Sequence, residues 1–239
     1  MELKIIGYVE SCFRDKFGTP RQPGLIPEAR GFLRILPEFQ PQDSLQGLED
    51  FSHLWVLFVF HKNHQDTRFH AKVHPPRLGG DKVGVFATRS PHRPNPVGLS
   101  LLKIEELRPD GIWVSGLDLI DQTPILDIKP YLPYAESRAE AQGGWAPEAP
   151  ETPWQVNYLC RDKLETWKRE RPEIEALITK TLQMDPRPQV YKGYEGQESP
   201  YRSHHAVRLH EGDVHFRFCE NQTIEVFDIY FMNDEFRES

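Results

Sequence analysis

The sequence predicts a mainly β protein: an antiparallel β-barrel followed by a small α+β domain. Three observations carry that reading. Apolar runs before residue 135 follow strand-like alternation, and helical periodicity is scarce there. Pro and Gly punctuate these runs at short intervals, as in all-β units that close on themselves. Beyond a Pro- and Glu-rich stretch, two helix-like segments precede three alternating runs.

In chain order, "ELKIIGYVE" and "RGFLRILPEF" alternate loosely and predict strands. "FSHLWVLFVFH" is a nearly continuous apolar run rich in aromatic and β-branched residues, which predicts a strand buried on both faces. "KVGVFAT" is short and β-rich. "GLSLLKIEELR" and "GIWVSGLDLID" read as two strands around Pro109-Asp110-Gly111, a strong turn signal. Residues 135–153, "AESRAEAQGGWAPEAPETP", read as a linker or surface-running segment. The expected division is a barrel over 1–140, a linker over 141–153 and an α+β unit over 154–239. In that unit "WQVNYLC" predicts a strand, and "RDKLETWKRE" and "PEIEALITKTLQ" predict helices, with Pro172 opening the second. A three-strand meander follows, in which Val214, Phe216 and Phe218 alternate with His215 and Arg217.

The 239 residues are 38% hydrophobic and 27% charged, enough to bury a core and too apolar for overall disorder. No stretch approaches a membrane-spanning length, and "MELKIIGYVE" lacks the pattern of a signal peptide. Cys12, Cys160 and Cys219 are odd in number and far apart, which suits reduced thiols in a cytoplasm. The net charge of −7 is unevenly spread. From Lys62 to Arg93 there are seven Lys or Arg against two Asp, a window of +5 that leaves −12 elsewhere. Such a window is either a solvated charge run or a patch that draws a polyanion.

That window ends in "FATRSPHRPNPVGLS", residues 86–100. Pro91, Pro94 and Pro96 restrict Arg89, Arg93 and Asn95, and an arginine already held in place loses less entropy on binding an anion. A tight connection with surface salt bridges is the plainer alternative. "GTPRQPG" (18–24) and "PPRLGGDK" (75–82) repeat the style, so three Pro-Arg loops meeting at one barrel mouth would make an anion pocket. They read equally as unrelated turns or as polyproline segments. "DLIDQTPILDIKPY" (118–131) sets Asp118, Asp121, Asp127 and Lys129 near a strand end, where isolated carboxylates usually form turns. Asp127 and Lys129, two apart, face one side of a strand and can pair. His61-x-x-His64, His70 and His74 approach ligand spacing, but no cysteine or carboxylate cluster completes a site, and no metal is expected. Rossmann, P-loop, G-x-S-x-G and H-E-x-x-H motifs are absent.

"VGVFATRSPHRPNPVGLS" closely resembles the signature of the TrmO (TsaA-like) family of tRNA methyltransferases dependent on S-adenosylmethionine. The resemblance extends through "FGTPRQPGL", "GLEDFSHLWVLFVFH", "PPRLGGDKVGVFA", "DLIDQTPILDIKPYLPYAES" and "DPRPQVY", nearly the whole chain in order. It implies a small β-barrel with a smaller C-terminal domain, a homodimer, and a cofactor held near the dimer interface. It implies methylation of N6 of threonylcarbamoyladenosine at tRNA position 37. The matching stretches place cofactor contacts at Pro20, Arg21 and Gln22, at His61 and Lys62, at Arg89, at Leu99, and at Asp121, Gln122, Thr123 and Pro124. The residue chemistry agrees. Arginine suits the cofactor's carboxylate, carbonyls or an acid suit its sulfonium, and an apolar slot suits adenine.

Asn95 and Asp127, and more weakly Tyr131, are candidates for contacts to the acceptor base. Lys72 and Arg77 are candidates for tRNA phosphates, and Arg93 for the threonyl carboxylate. Two rival readings remain from the residues alone: a non-catalytic RNA- or phosphate-binding barrel, and a metal hydrolase using the histidines.

Overall fold

A computed structural model describes residues 2–63, 69–187 and 204–232. Six strands close into an antiparallel barrel in the order β1-β2-β7-β6-β3-β8. They are β1 (Gly7–Ser11), β2 (Arg30–Ile35), β3 (His53–Val59), β6 (Val97–Arg108), β7 (Gly111–Ser115) and β8 (Pro124–Pro130). A short hairpin, β4 (Lys72–Val73) with β5 (Val83–Gly84), projects from the β3–β6 connection. One-turn helices α1 (Pro41–Ser44) and α2 (Pro133–Glu136) follow β2 and β8.

Inward residues fill the barrel: Val9, Leu33, Leu54, Val56, Leu102, Ile112, Val114 and Ile125 are all fully buried. β3 departs from the expectation of burial on both faces. Leu54, Val56 and Phe58 point inward, while His53, Trp55, Leu57 and Val59 remain half-buried on the outer wall. Its continuous apolar run therefore covers the core with one face only and leaves the other face partly covered in the single chain. "GIWVSGLDLID" likewise forms a strand only over Gly111–Ser115. Gly116 then takes a left-handed φ of 73°, which ends β7 and starts the loop to β8.

The second unit is a four-stranded sheet in the order β10-β11-β12-β9, with β9 (Gln155–Tyr158) parallel to β12 (Thr223–Phe231). β10 (His205–Leu209), β11 (Gly212–Cys219) and β12 form the expected meander. Helices α3 (Arg161–Glu170) and α4 (Ile174–Gln183) contribute buried Leu164, Trp167, Ile174, Leu177, Ile178 and Leu182. α4 begins two residues after Pro172, whose fixed φ precedes the first turn. Residues 137–154 carry no helix or strand, but they are not detached: Trp145 donates its indole N–H to the Ala87 carbonyl at 2.9 Å.

The two units are joined by contacts at atomic distance. Phe13 bridges to both Ile120 and Leu209, the His210 amide donates to the Cys12 carbonyl at 2.7 Å, and Lys180 pairs with Glu28 at 2.6 Å. Gly18 permits the approach, since a Cβ there would lie 2.2 Å from a Val207 methyl. Burial in this seam pushes the Cys12 thiol up to about 12, so it behaves as a small apolar residue. No helix among the described residues is long and apolar enough to cross a membrane.

Candidate active site at the barrel mouth

Antiparallel closure decides which loops meet. β1, β7 and β3 run one way and β2, β6 and β8 the other. The connections 12–29, 60–96 and 116–123 therefore all emerge at one end of the barrel, although they are scattered along the chain.

Two of the Pro-Arg loops touch there. Arg89 donates from Nη1 to Gln22 Oε1 at 2.7 Å. Pro20, just before, is buried and anchors its loop, while Arg21 reaches out from it toward Asp185 of the second unit. Asn63 ties the 61–63 turn to the same place, donating to the Pro91 carbonyl at 2.8 Å. His61 lies within the electrostatic field of Asp121. Its Nε2 is buried and has no hydrogen-bond partner among the described residues. Burial, and then the charge of Lys62, lowers its pKa and favours the neutral ring, which can donate or accept. Lys62 itself is exposed.

Asp121 has no free oxygen to offer. Oδ1 accepts the Ser11 amide at 2.8 Å and Oδ2 pairs with Arg14 at 2.5 Å. Arg14 in turn donates to the His210 carbonyl at 3.1 Å, so the second unit braces this loop. The brace holds Gln122 at a left-handed φ of 62° and buries Thr123, whose hydroxyl caps the Ile120 carbonyl at 2.6 Å. Pro124 then opens β8 opposite Tyr8. What this loop presents to a ligand is its backbone and Gln122, while Asp121 serves as the peg.

Other candidates fall elsewhere. The third Pro-Arg loop emerges at the same end, but Arg77 and Lys72 lie on the β4–β5 hairpin, with no side-chain hydrogen bond to the other two loops among the described residues. Arg93 turns its guanidinium back onto the Thr88 carbonyl at 3.2 Å, bracing its own loop. Asn95 is exposed on the same loop. Leu99 stands on the outer wall of β6, 49% exposed, level with Leu57 and Asp127 across β3 and β8. Asp127 lies inside β8 and pairs with Lys129 at 2.7 Å, as the two-residue spacing predicts. Tyr131 follows β8 at the far end of the barrel, stacked edge-on against His53 and Trp55, because β8 runs away from the mouth. A groove of about 410 Å³ runs down the outer wall from Arg89 past Leu101 and Trp55 to His53. His64 lies outside the described residues, as do Arg68 of the basic window and residues 188–191 of "DPRPQVY". Among the described residues no three His, Cys, Asp or Glu side chains cluster as metal ligands would.

One group at the mouth was read from the sequence only as a turn former. Asp118, two residues past Gly116, turns into the mouth and accepts the Ser100 hydroxyl at 2.6 Å. Ser100 is buried on the inner face of β6. Burial raises the Asp118 carboxyl from an ordinary 3.8 to about 6, against the opposing pull of Ser100, its own backbone amide and the charge of Arg89. Nothing local in the sequence marks this pair, since its members stand 18 residues apart.

Comparison with known proteins gives this geometry its context. Residues 8–137 match the tRNA-methyltransferase O N-terminal domain, and residues 151–232 match the TrmO C-terminal domain. The chain belongs to the tRNA-methyltransferase O family. It is 44% identical over 228 residues to a putative S-adenosylmethionine-dependent methyltransferase, RcsF, of Pseudomonas aeruginosa, covering 94% of this chain and 95% of that one. It is 41% identical over 222 residues to the tRNA (adenine(37)-N6)-methyltransferase of Escherichia coli, covering 90% and 92%. The crystal structure of TrmO from Pseudomonas aeruginosa superposes with a TM-score of 0.76 at 37% identity, covering 96% of this chain and 98% of that one. Membership makes the chain an enzyme, a tRNA methyltransferase, whose N-terminal family domain is a closed barrel and not a Rossmann sheet.

Proposed function

We propose that this protein methylates N6 of threonylcarbamoyladenosine at position 37 of tRNA. Family membership carries the coarser statement: the reaction is methyl transfer to N6 of the adenine at position 37, with S-adenosylmethionine as donor. The observations that support the location are the Arg89–Gln22 contact and, at the same end of the barrel, the buried Nε2 of His61, which has no hydrogen-bond partner among the described residues.

The residues fit the donor. Arg89 offers a guanidinium to its carboxylate, His61 a neutral ring nitrogen, Leu99 an apolar surface and the 121–124 loop backbone carbonyls. Bound there, S-adenosylmethionine supplies an electrophilic methyl group. The protein's own part is to hold Arg89 through Gln22, to fix the 121–124 loop through Ser11 and Arg14, and to manage one proton.

The threonylcarbamoyl group is the acceptor we favour. It makes N6 part of a urea, which acidifies the N–H, and it adds a carboxylate that a cationic mouth attracts. Arg93 is the candidate for that carboxylate, provided it leaves the Thr88 carbonyl. Lys72 and Arg77, exposed on the projecting hairpin, are placed to meet backbone phosphates. A homodimer is part of the proposal. The partly covered apolar wall of Val59, Leu57, Leu99 and Trp55 suits a second copy, which would also shield the cofactor. We assign the protein to the cytoplasm, with a barrel unit over 1–140 joined by 141–153 to the unit over 154–239. The test is calorimetry with S-adenosylmethionine, followed by tritium transfer to threonylcarbamoylated and plain transcripts in parallel. Binding with transfer to the modified tRNA alone is expected; equal transfer would remove the threonylcarbamoyl requirement.

A further inference from the structure

We propose that Asp118 is the general base of this enzyme, the group that takes the N6 proton as the methyl group arrives. The inference rests on the acceptor reading given above and adds the residue that performs the proton step.

The geometry singles out Asp118. Of the carboxylates near the mouth, Asp121 is used up by the Ser11 amide and Arg14, and Asp127 is tied to Lys129 out on the barrel wall. Asp118 turns into the mouth within the field of Arg89 and keeps spare capacity. Ser100 occupies Oδ1, and no side chain donates to Oδ2 among the described residues. The hydroxyl of buried Ser100, together with the residue's own backbone amide, fixes the carboxyl plane without neutralising it. Arg89, from the loop before β6, is the charged group among the described residues that acts on it. The cation that suits the cofactor thus acts through its field on the candidate base, as a site must be built when donor and acceptor meet there. The carboxyl titrates near 6, so at neutral pH it is ionised yet still basic enough to accept a proton in the transition state.

The step balances simply. The N6–H bond breaks and its proton goes to Asp118. The N6 electron pair forms the bond to the methyl carbon, and the pair of the breaking carbon–sulfur bond stays on sulfur. Asp118 then returns its proton to solvent at neutral pH.

The test is single-turnover transfer to threonylcarbamoylated tRNA across pH, by the full-length protein and its Asp118→Asn and Asp118→Glu variants. The wild-type rate should climb about tenfold per pH unit and level off once the base is ionised. Asp118→Asn should be about 10²- to 10⁴-fold slower and lose that limb, while Asp118→Glu should keep it. Two readouts do not depend on turnover. Cofactor affinity by calorimetry should change less than about threefold in Asp118→Asn, and carbon NMR of the cofactor-free protein should show an aspartate titrating near 6. A wild-type rate and pH profile in Asp118→Asn would overturn the assignment. So would weak cofactor binding with a normal rate at saturation, because Asp118 would then only position Arg89. Transfer by the wild type to plain transcript alone would instead overturn the acceptor reading, and the same comparison of variants on that transcript would still decide the role of Asp118.

Discussion

Replacing Asp118 with asparagine should stabilise the protein at neutral pH while removing its activity. The folded chain holds this carboxyl at about 6, against 3.8 for an ordinary aspartate. The native state therefore binds the proton more tightly than the unfolded chain does. The group favours folding fully below pH 3.8, and that contribution is lost as pH rises through 6. At pH 7.5 the ionised carboxylate weighs against the native state by up to about 3 kcal/mol, two pKa units at roughly 1.4 kcal/mol each. Asparagine keeps the shape and an oxygen for the Ser100 hydroxyl but cannot ionise. The expected gain is about 1–3 kcal/mol, at roughly 2–4 °C of Tm per kcal/mol for a chain of this size. His210 works with the opposite sign. Burial, helped by the charge of Arg171, lowers its pKa from 6.5 to about 4, so its contribution is present above pH 6.5 and lost as pH falls through 4. In the wild type the two groups largely offset each other between pH 4 and 6. Asp118→Asn should therefore show both a higher Tm at pH 7.5 and a steeper loss toward acid. Calorimetric melts from pH 4.5 to 8 read both effects, and an unchanged or lower Tm at pH 7.5 would refute the reasoning.

Arg89→Lys should weaken cofactor binding nearly as much as Arg89→Ala, because a point charge cannot both reach Gln22 and keep a planar fork for a carboxylate; calorimetry decides, and wild-type affinity in the lysine variant would contradict it. Leu57→Glu on the outer wall should yield a monomer with reduced cofactor affinity, read by sedimentation and titration. Reversing Lys72 and Arg77 to glutamate should lower tRNA affinity and flatten its salt dependence by roughly one unit of slope per lost phosphate contact, with cofactor affinity unchanged.

The strands were legible because period-two alternation and Pro-Gly punctuation are local signals. α3 fills the stretch from Arg161 to Glu170 that its pattern predicted. β3 misled because a run of aromatic and β-branched residues reads the same whether its second face meets a sheet or awaits another surface. The mouth was legible as composition, in Arg89 and Gln22, but its membership was not. Asp118 meets Ser100, and Asp121 meets Ser11 and Arg14, across separations that only barrel closure removes. Tyr131 shows the same effect in reverse: seven residues after Pro124, the strand has carried the chain to the other end of the barrel.

Nucleoside mass spectrometry tests the central claim most directly. Threonylcarbamoylated tRNA would be incubated with the protein and S-adenosylmethionine, digested, and compared with the same transcript lacking the modification. The account predicts a 14-Da gain (roughly one methylene) on threonylcarbamoyladenosine at position 37, on N6, with the plain transcript unchanged. Methylation of unmodified adenosine to the same extent, or of another position, would contradict it.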